Sequence, residues 1–343
     1  MLTTLNSLPP RLLKSLLELN ATELHQQLSG PTLIHFPGQK EPPLFVSVLL
    51  HGNETTGWRA IQQLLTKYAN QPLPRALSLF IGNVAAAKHQ KRHLEHQPDY
   101  NRIWQPGHTP EQEMAQQVLA DMRSRGVFAS IDIHNNTGRN PHYGCISQCD
   151  RRSLHLANLF GHSIVYFTSP NTLLTMAFAE MCPSITLECG QPGKPEGTRH
   201  ALNYLETCLA LDTIPTTPVT DIDLFHTVAI VKIPEHISFG FGDPACEPIA
   251  IDLCFPIDLD RLNFQELPVN TSLCYVRSNG EASKRYLDVQ NEQGENVADR
   301  YFKTIDQQIV TAAPLMPSML TLKPEIIRQD CLCYLMERMA LAD

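Results

Sequence analysis

Four polar residues stand at or just beyond the ends of short apolar runs, where a chain most often presents chemistry. His51 and Glu54 follow LFVSVLL across a Gly-Asn turn, His134 closes VFASIDIH, and Glu188 closes SITLE. Two imidazoles and one carboxylate form a catalytic zinc set that leaves a fourth position for water. An ion held this way acidifies water and polarises a carbonyl. A second carboxylate, off the metal, is then needed to take a proton and return it to the leaving group. Glu188 is available for that role. Asp132 precedes His134 by two residues, so on a strand both side chains share one face. It can hydrogen-bond a ligand imidazole from behind. In DYNRIW (99–104), adjacent Asn101 and Arg102 offer an amide and a planar guanidinium fork suited to a carboxylate.

Competing readings of the same residue types are weaker. A second H-x-x-E match, His108 and Glu111, is interrupted by Pro110 and has no strand leading into it. Glu54 by itself would also suit the first turn of the helix that follows. His89, His93 and His96 fall on one helical face, but Lys88, Lys91 and Arg92 crowd that stretch with positive charge, so a solvated basic segment is expected. Cys145 near His142 suggests a thiol nucleophile, yet no third group to orient them is identifiable. There is no G-x-S-x-G elbow and no phosphate-binding glycine loop.

The elements that must position these residues alternate along the chain. Strand-like runs at 44–50, 76–84, 127–134, 163–167 and 184–188 alternate with helical patterns up to about residue 211. Short β-branched runs bounded by turns describe strands buried on both faces, and their alternation with helices predicts an α/β layered domain with a largely parallel sheet. In such sheets the site lies outside the carboxyl ends of the strands, so three strand ends converge on one mouth. Near IPTTPVTD (214–221) the texture changes. Residues 1–214 are read as the catalytic domain and 215–343 as a small β-rich domain, with PEIIRQDCLCYLMERM as a terminal helix. The N-terminal MLTTLNSLPPRLLKSLLELN reads as an amphipathic helix.

With 43% hydrophobic residues in 343, the chain has ample material for a core, and its net charge of -8 offers no basic footprint for nucleic acid or anionic lipid. No apolar run reaches the length of a membrane span. The lack of an export signal predicts a cytoplasmic protein whose ten cysteines are thiols, and no C-x-x-C pair suggests a cysteine-built zinc site.

At this point the motifs resemble those of the succinylglutamate desuccinylase and aspartoacylase family, within the wider zinc carboxypeptidase superfamily. HGNET (51–55) resembles the family's H-G-N-E opening, DYNRIW its D-L-N-R segment, DIHNNT (132–137) its D-L-H segment, and TLECG (186–190) the strand ending in its catalytic glutamate. Order and rough spacing agree over about 44–200. The later β-rich region resembles the small C-terminal domain of the group. The resemblance implies one Zn2+ per chain on His51, Glu54 and His134, water activation by Glu188, and a substrate carboxylate held by Asn101 and Arg102. It further implies an arginine that polarises the scissile carbonyl, for which Arg92 is the nearest candidate. Aspartoacylase carries another substrate-binding arginine about ten residues before its catalytic glutamate, whereas 173–187 here contain none; Arg139 is the candidate substitute. The expected activity is hydrolysis of an N-acyl amino acid bearing a carboxylate. A zinc carboxypeptidase acting on short peptides and a non-catalytic metal-binding protein are the alternatives.

Overall fold

The computed structural model describes residues 2–5, 9–243, 251–276 and 286–340. The described residues fall into two compact units, one within 2–135 and 142–223, the other within 136–141 and 224–340.

The first unit is an α/β layer structure. Its strands are β1 (Thr3–Leu5), β2 (Thr32–Phe36), β3 (Leu44–Val48), β4 (Leu77–Ile81), β5 (Ala129–His134), β6 (Tyr143–Ile146), β7 (Ser163–Tyr166) and β8 (Ser184–Glu188). They lie in the order β1-β2-β4-β3-β5-β8-β6-β7. The central β4, β3, β5 and β8 are mutually parallel, while β2 and β6 join them antiparallel. Every residue of β3, β4, β5 and β8 is buried, as strands covered on both faces must be.

The helices are α1 (Pro10–Leu17), α2 (Thr56–Lys67), α3 (Val84–Lys88), α4 (Pro110–Arg125), α5 (Arg151–Asn158), α6 (Leu174–Ala179) and α7 (Pro195–Ala210). A Cβ on Gly57 would meet Val48 and Ile133, so the glycine lets α2 press onto β3 and β5. On the opposite face Phe45 stacks on Phe178 of α6, and Phe80 meets Trp104 edge-on. Met114, Ala115, Val118 and Met122 of α4 belong to that same buried cluster.

Three expectations change at the level of elements. The N-terminal stretch is not one helix: Thr3–Leu5 pairs with Thr32–Ile34, and α1 begins at the Pro9-Pro10 step. Proline suits the first helical turn but not an interior position. The strands β2 and β6 carry weak signals, a histidine inside TLIHF and a glycine inside YGCI.

In the second unit the helix over PEIIRQ stops at Gln329, and Cys333–Arg338 runs as a strand antiparallel to Asp223–Lys232. Cys331, Leu332, Cys333, Leu335 and Met336 are all buried, leaving no polar face for a surface helix. A five-stranded sheet built from Phe239–Phe241, Leu253–Phe255, Ser272–Val276, Phe302–Ile305 and Gln308–Thr311 completes this β-rich unit. The sequence offers strand-like runs in this region at EPIAIDL (247–253), SLCYVR (272–277) and RYLDV (285–289), each of which falls partly outside the described residues.

Candidate active site

The carboxyl ends of β3, β5 and β8 deliver the site. After β3 the chain leaves the sheet through Leu49, whose φ of 58° lies in the left-handed region. An L-residue there costs about 1–2 kcal/mol, so the turn is held by its surroundings. Asn83 N–H donates to Leu49 O at 2.7 Å, and Gly82 N–H to Val48 O at 3.0 Å. Gly52 lies against the backbone of Ala86 and Ala87, with no room for a Cβ. The turn thereby aims His51 and Glu54 back over the sheet.

His134 ends β5, and its register partner on β8 is Glu188. Facing residues on paired strands project to the same side, so the imidazole and the carboxylate are neighbours at one mouth. Tyr143 of β6 is the register partner of Glu188 on the other side. All four residues, His51, Glu54, His134 and Glu188, are buried.

His51, Glu54 and His134 converge so that one donor atom from each lies within 4.8 Å of the others, and they form the one such group of three or more among the described residues. The two Nδ1 atoms stand 3.2 Å apart; Glu54 Oε1 is 2.9 Å from His51 Nδ1 and Oε2 is 2.8 Å from His134 Nδ1. With bonds of about 2.0–2.1 Å, tetrahedral zinc would separate its donors by about 3.3 Å. The cluster is close to that spacing, so a small expansion accommodates the ion.

The outer nitrogens make the same point. His51 Nε2 donates to Asp99 Oδ1 at 2.9 Å, and His134 Nε2 to Asp132 Oδ2 at 2.7 Å. A carboxylate behind each ring fixes the tautomer that leaves Nδ1 for a metal. Backbone N–H of Asn135 steadies Glu54 by donating to Oε2 at 3.0 Å. Donor types, spacing and backing therefore fit a zinc-like cation.

Electrostatics follow from this packing. Burial and Arg92 oppose charge on His51, but Glu54 and Asp99 outweigh them and raise its pKa. Burial likewise opposes charge on His134, and Asp132 with Glu54 raises it well above the ordinary value. Burial alone would raise the carboxyls of Glu54 and Asp99, yet the facing histidines, joined at Asp99 by Arg92, hold both far below the usual carboxylate range.

Asp99 is the participant that sequence reasoning passed over, although it opens the DYNR segment. Besides His51 it receives Arg92, whose Nε and Nη2 donate to Oδ2 at 3.1 and 2.9 Å, and Asn101 N–H at 2.7 Å. Arg92 Nη1 is 3.9 Å from Glu54 Oε1, which puts this guanidinium beside the cluster. Asn101 uses its Oδ1 to accept from Leu174 N–H at 3.1 Å, and its Nδ2 lies 3.5 Å from His134 Nε2. Arg102 Nη1 donates to Asn101 O at 3.0 Å. Arg139 belongs to the second unit, where its Nε is 3.6 Å from Asp260 Oδ1.

The rival groups separate from this centre. The helix α3 ends at Lys88, so His89, His93 and His96 share no helical face. Burial, and next the Glu188 carboxylate, push the Cys145 thiol well above its ordinary pKa, which disfavours the thiolate that a nucleophile needs. Among the described residues no helix is long and apolar enough to cross a membrane.

Residues 40–209 match the model of the family described as Succinylglutamate desuccinylase/Aspartoacylase catalytic domain. No curated protein matches the chain. A solved succinylglutamate desuccinylase from Chromobacterium violaceum aligns over 98% of this chain and 99% of its own, with a TM-score of 0.58 and 14% identity. A succinylglutamate desuccinylase/aspartoacylase from Rhodobacter sphaeroides aligns over 90% and 89%, with TM-score 0.56 and 13% identity. Murine aminoacylase 3 aligns over 88% and 97%, with TM-score 0.55 and 14% identity. At such identities the likeness of the structures speaks for the fold.

Proposed function

Through residues 40–209 the chain belongs to the succinylglutamate desuccinylase/aspartoacylase family, and on that premise we propose that it is a zinc-dependent hydrolase cleaving the amide bond of an N-acyl amino acid. The observation that carries the reading is the buried donor set of His51, Glu54 and His134, with Asp99 and Asp132 behind the two rings. These three residues would hold one ion. When bound, such an ion acts as a Lewis acid on a carbonyl and makes water acidic enough to react near neutral pH.

The chain's own residues supply the rest. Glu188, register partner of His134, takes the proton of the attacking water and returns it to the nitrogen of the leaving amine. Arg92 is held in place by Asp99 and adds a fixed positive charge beside the cluster, favouring negative charge as it builds on the carbonyl oxygen. Asn101 and Arg102 follow Asp99 after Tyr100 and are suited to orient a substrate carboxylate.

The succinylglutamate desuccinylases and the aminoacylase among the similar structures are named for deacylation, which makes N-acyl amino acids the first substrates to try. The test is amine release from a panel of N-succinyl, N-acetyl and longer N-acyl amino acids by the metal-loaded protein. Turnover of at least one acidic member is expected. Stoichiometric zinc with no turnover across the panel would leave a metal-binding protein instead.

A further inference from the structure

Beneath the donor cluster the sheet carries a patch of buried polar side chains, of which the chemistry above uses only Asp132, through its Oδ2. Ser47, Ser130, Asp132 and Ser184 are at most 2% exposed. Ser47 Oγ, Ser130 Oγ, Asp132 Oδ1 and Ser184 Oγ find no hydrogen-bond partner among the described residues. Strand register puts these atoms together. Ser47 is the register partner of Asp132, Ser130 of Ser184, and Asp132 of Thr186. Ser130, Asp132 and His134 alternate along β5, so all of them face the side on which His134 meets Glu54. With strands about 4.8 Å apart and i, i+2 residues about 6.6 Å apart, the four oxygens share a patch that spans the three strands β3, β5 and β8, two strand spacings wide and two residues tall.

The surroundings of the patch are apolar. Phe45, partner of Ser130, stacks on Phe178, and Phe80, partner of Ser47, packs against Trp104. The helix α6 lies over β5 and β8, and its Thr175 takes up the Thr186 hydroxyl. Bulk solvent is kept from the patch, yet polar atoms in such a place are nearly always hydrogen-bonded, to protein or to ordered water. Hydroxyls can donate and accept while Asp132 Oδ1 only accepts, and a buried water needs two to four partners of that kind.

We propose that buried waters join Ser47, Ser130 and Ser184 to Asp132 Oδ1, and that Ser47 is thereby a positioning residue for His134. Satisfying Asp132 Oδ1 would hold the carboxylate in the orientation that presents Oδ2 to His134. The network fixes the carboxylate, the carboxylate fixes the ring, and the ring presents Nδ1 to the donor cluster. The consequence for metal binding rests on the zinc reading above; the hydrogen-bonding claim does not.

The test compares wild type with Ser47→Ala, a change that removes one oxygen from a packed strand and leaves its shape. Thermal unfolding of the metal-free chain and Zn2+ affinity by chelator competition are both measured. A hydroxyl without a partner would be relieved by the substitution, so Tm would rise; a hydroxyl in the network makes Tm fall. Zn2+ binding by Ser47→Ala is expected to weaken roughly tenfold, the low end of the 10–100-fold carried by partners behind metal ligands. A networked serine with no hold on His134 would lower Tm and leave affinity unchanged. A rise in Tm, or wild-type Zn2+ affinity in the variant, overturns the proposal. If wild type itself takes up no Zn2+, the zinc reading fails, and the direction of the Tm change still decides the network.

Discussion

His51 and His134 approach with their Nδ1 atoms 3.2 Å apart, while the opposite nitrogen of each ring is bound to its own aspartate, Asp99 and Asp132. The two residues are 83 positions apart in the chain. Two ring nitrogens facing each other at that distance, both also against Glu54, describe a seat for a cation. From this relationship and from the neighbours of the seat the following outcomes are expected.

Purified protein should hold close to one zinc per chain, by elemental analysis. His51→Ala or His134→Ala should lose most of it, because each removes one of three donors. Full retention in both would sink the assignment of the seat.

The pH dependence has a definite sign. Both histidines have raised pKa values in the metal-free fold. Their contribution to stability is complete below the ordinary histidine value of about 6.5 and is lost as pH rises through the raised ones. Glu54 and Asp99 are depressed, so their contribution is present above about 4 and is lost only as pH falls through their lowered values. Zinc requires the imidazoles neutral, so its binding competes with protons. Raising the pH above about 6.5 should therefore lower the Tm of the chelated protein and widen the gap to the zinc-loaded protein. A gap that stays constant with pH would contradict protonation of these rings.

Glu188→Gln keeps the shape of the side chain but removes its basicity. Metal content should be unchanged while kcat falls by roughly 10²–10⁴-fold, the usual weight of general acid–base catalysis. An active variant would move the base elsewhere.

Asp99→Asn should be felt twice, because one carboxylate serves both His51 and Arg92. Zinc affinity is expected to drop on the order of 10–100-fold. Activity at saturating metal should still be reduced, since Arg92 loses its anchor. Restoring full activity with excess zinc would show that Arg92 has no part in turnover.

Blocking carboxylates on the substrate divides the enzyme readings. If amidating the acyl-side carboxylate removes turnover, the deacylase reading stands; if only the α-carboxylate of the released amino acid matters, a carboxypeptidase-like reading replaces it. Arg102→Lys should raise KM because an ammonium cannot reproduce the two-pronged contact. Wild-type kinetics in Arg102→Ala would exclude this arginine from recognition.

Much of the centre was legible in the sequence alone because it is written locally. A strand that ends in a histidine or glutamate after a buried run places that side chain at the carboxyl edge of a parallel sheet, wherever the strand sits in the order. The order HGNE, DYNR, DIH, TLE and the alternating elements thus determined the α/β layers and the convergence of His51, Glu54, His134 and Glu188. Tertiary structure decided what depends on residues distant in sequence. Nothing local says that Asp99 reaches His51 or that Arg92 folds back onto Asp99, because both contacts are made by the path of the 89–101 segment over the sheet. The same holds for Cys333–Arg338, an apolar stretch whose choice of strand over helix was made by the neighbouring strands waiting to pair with it. The periodicity of a short apolar run does not distinguish the two, and hydrogen-bond partners elsewhere in the chain do.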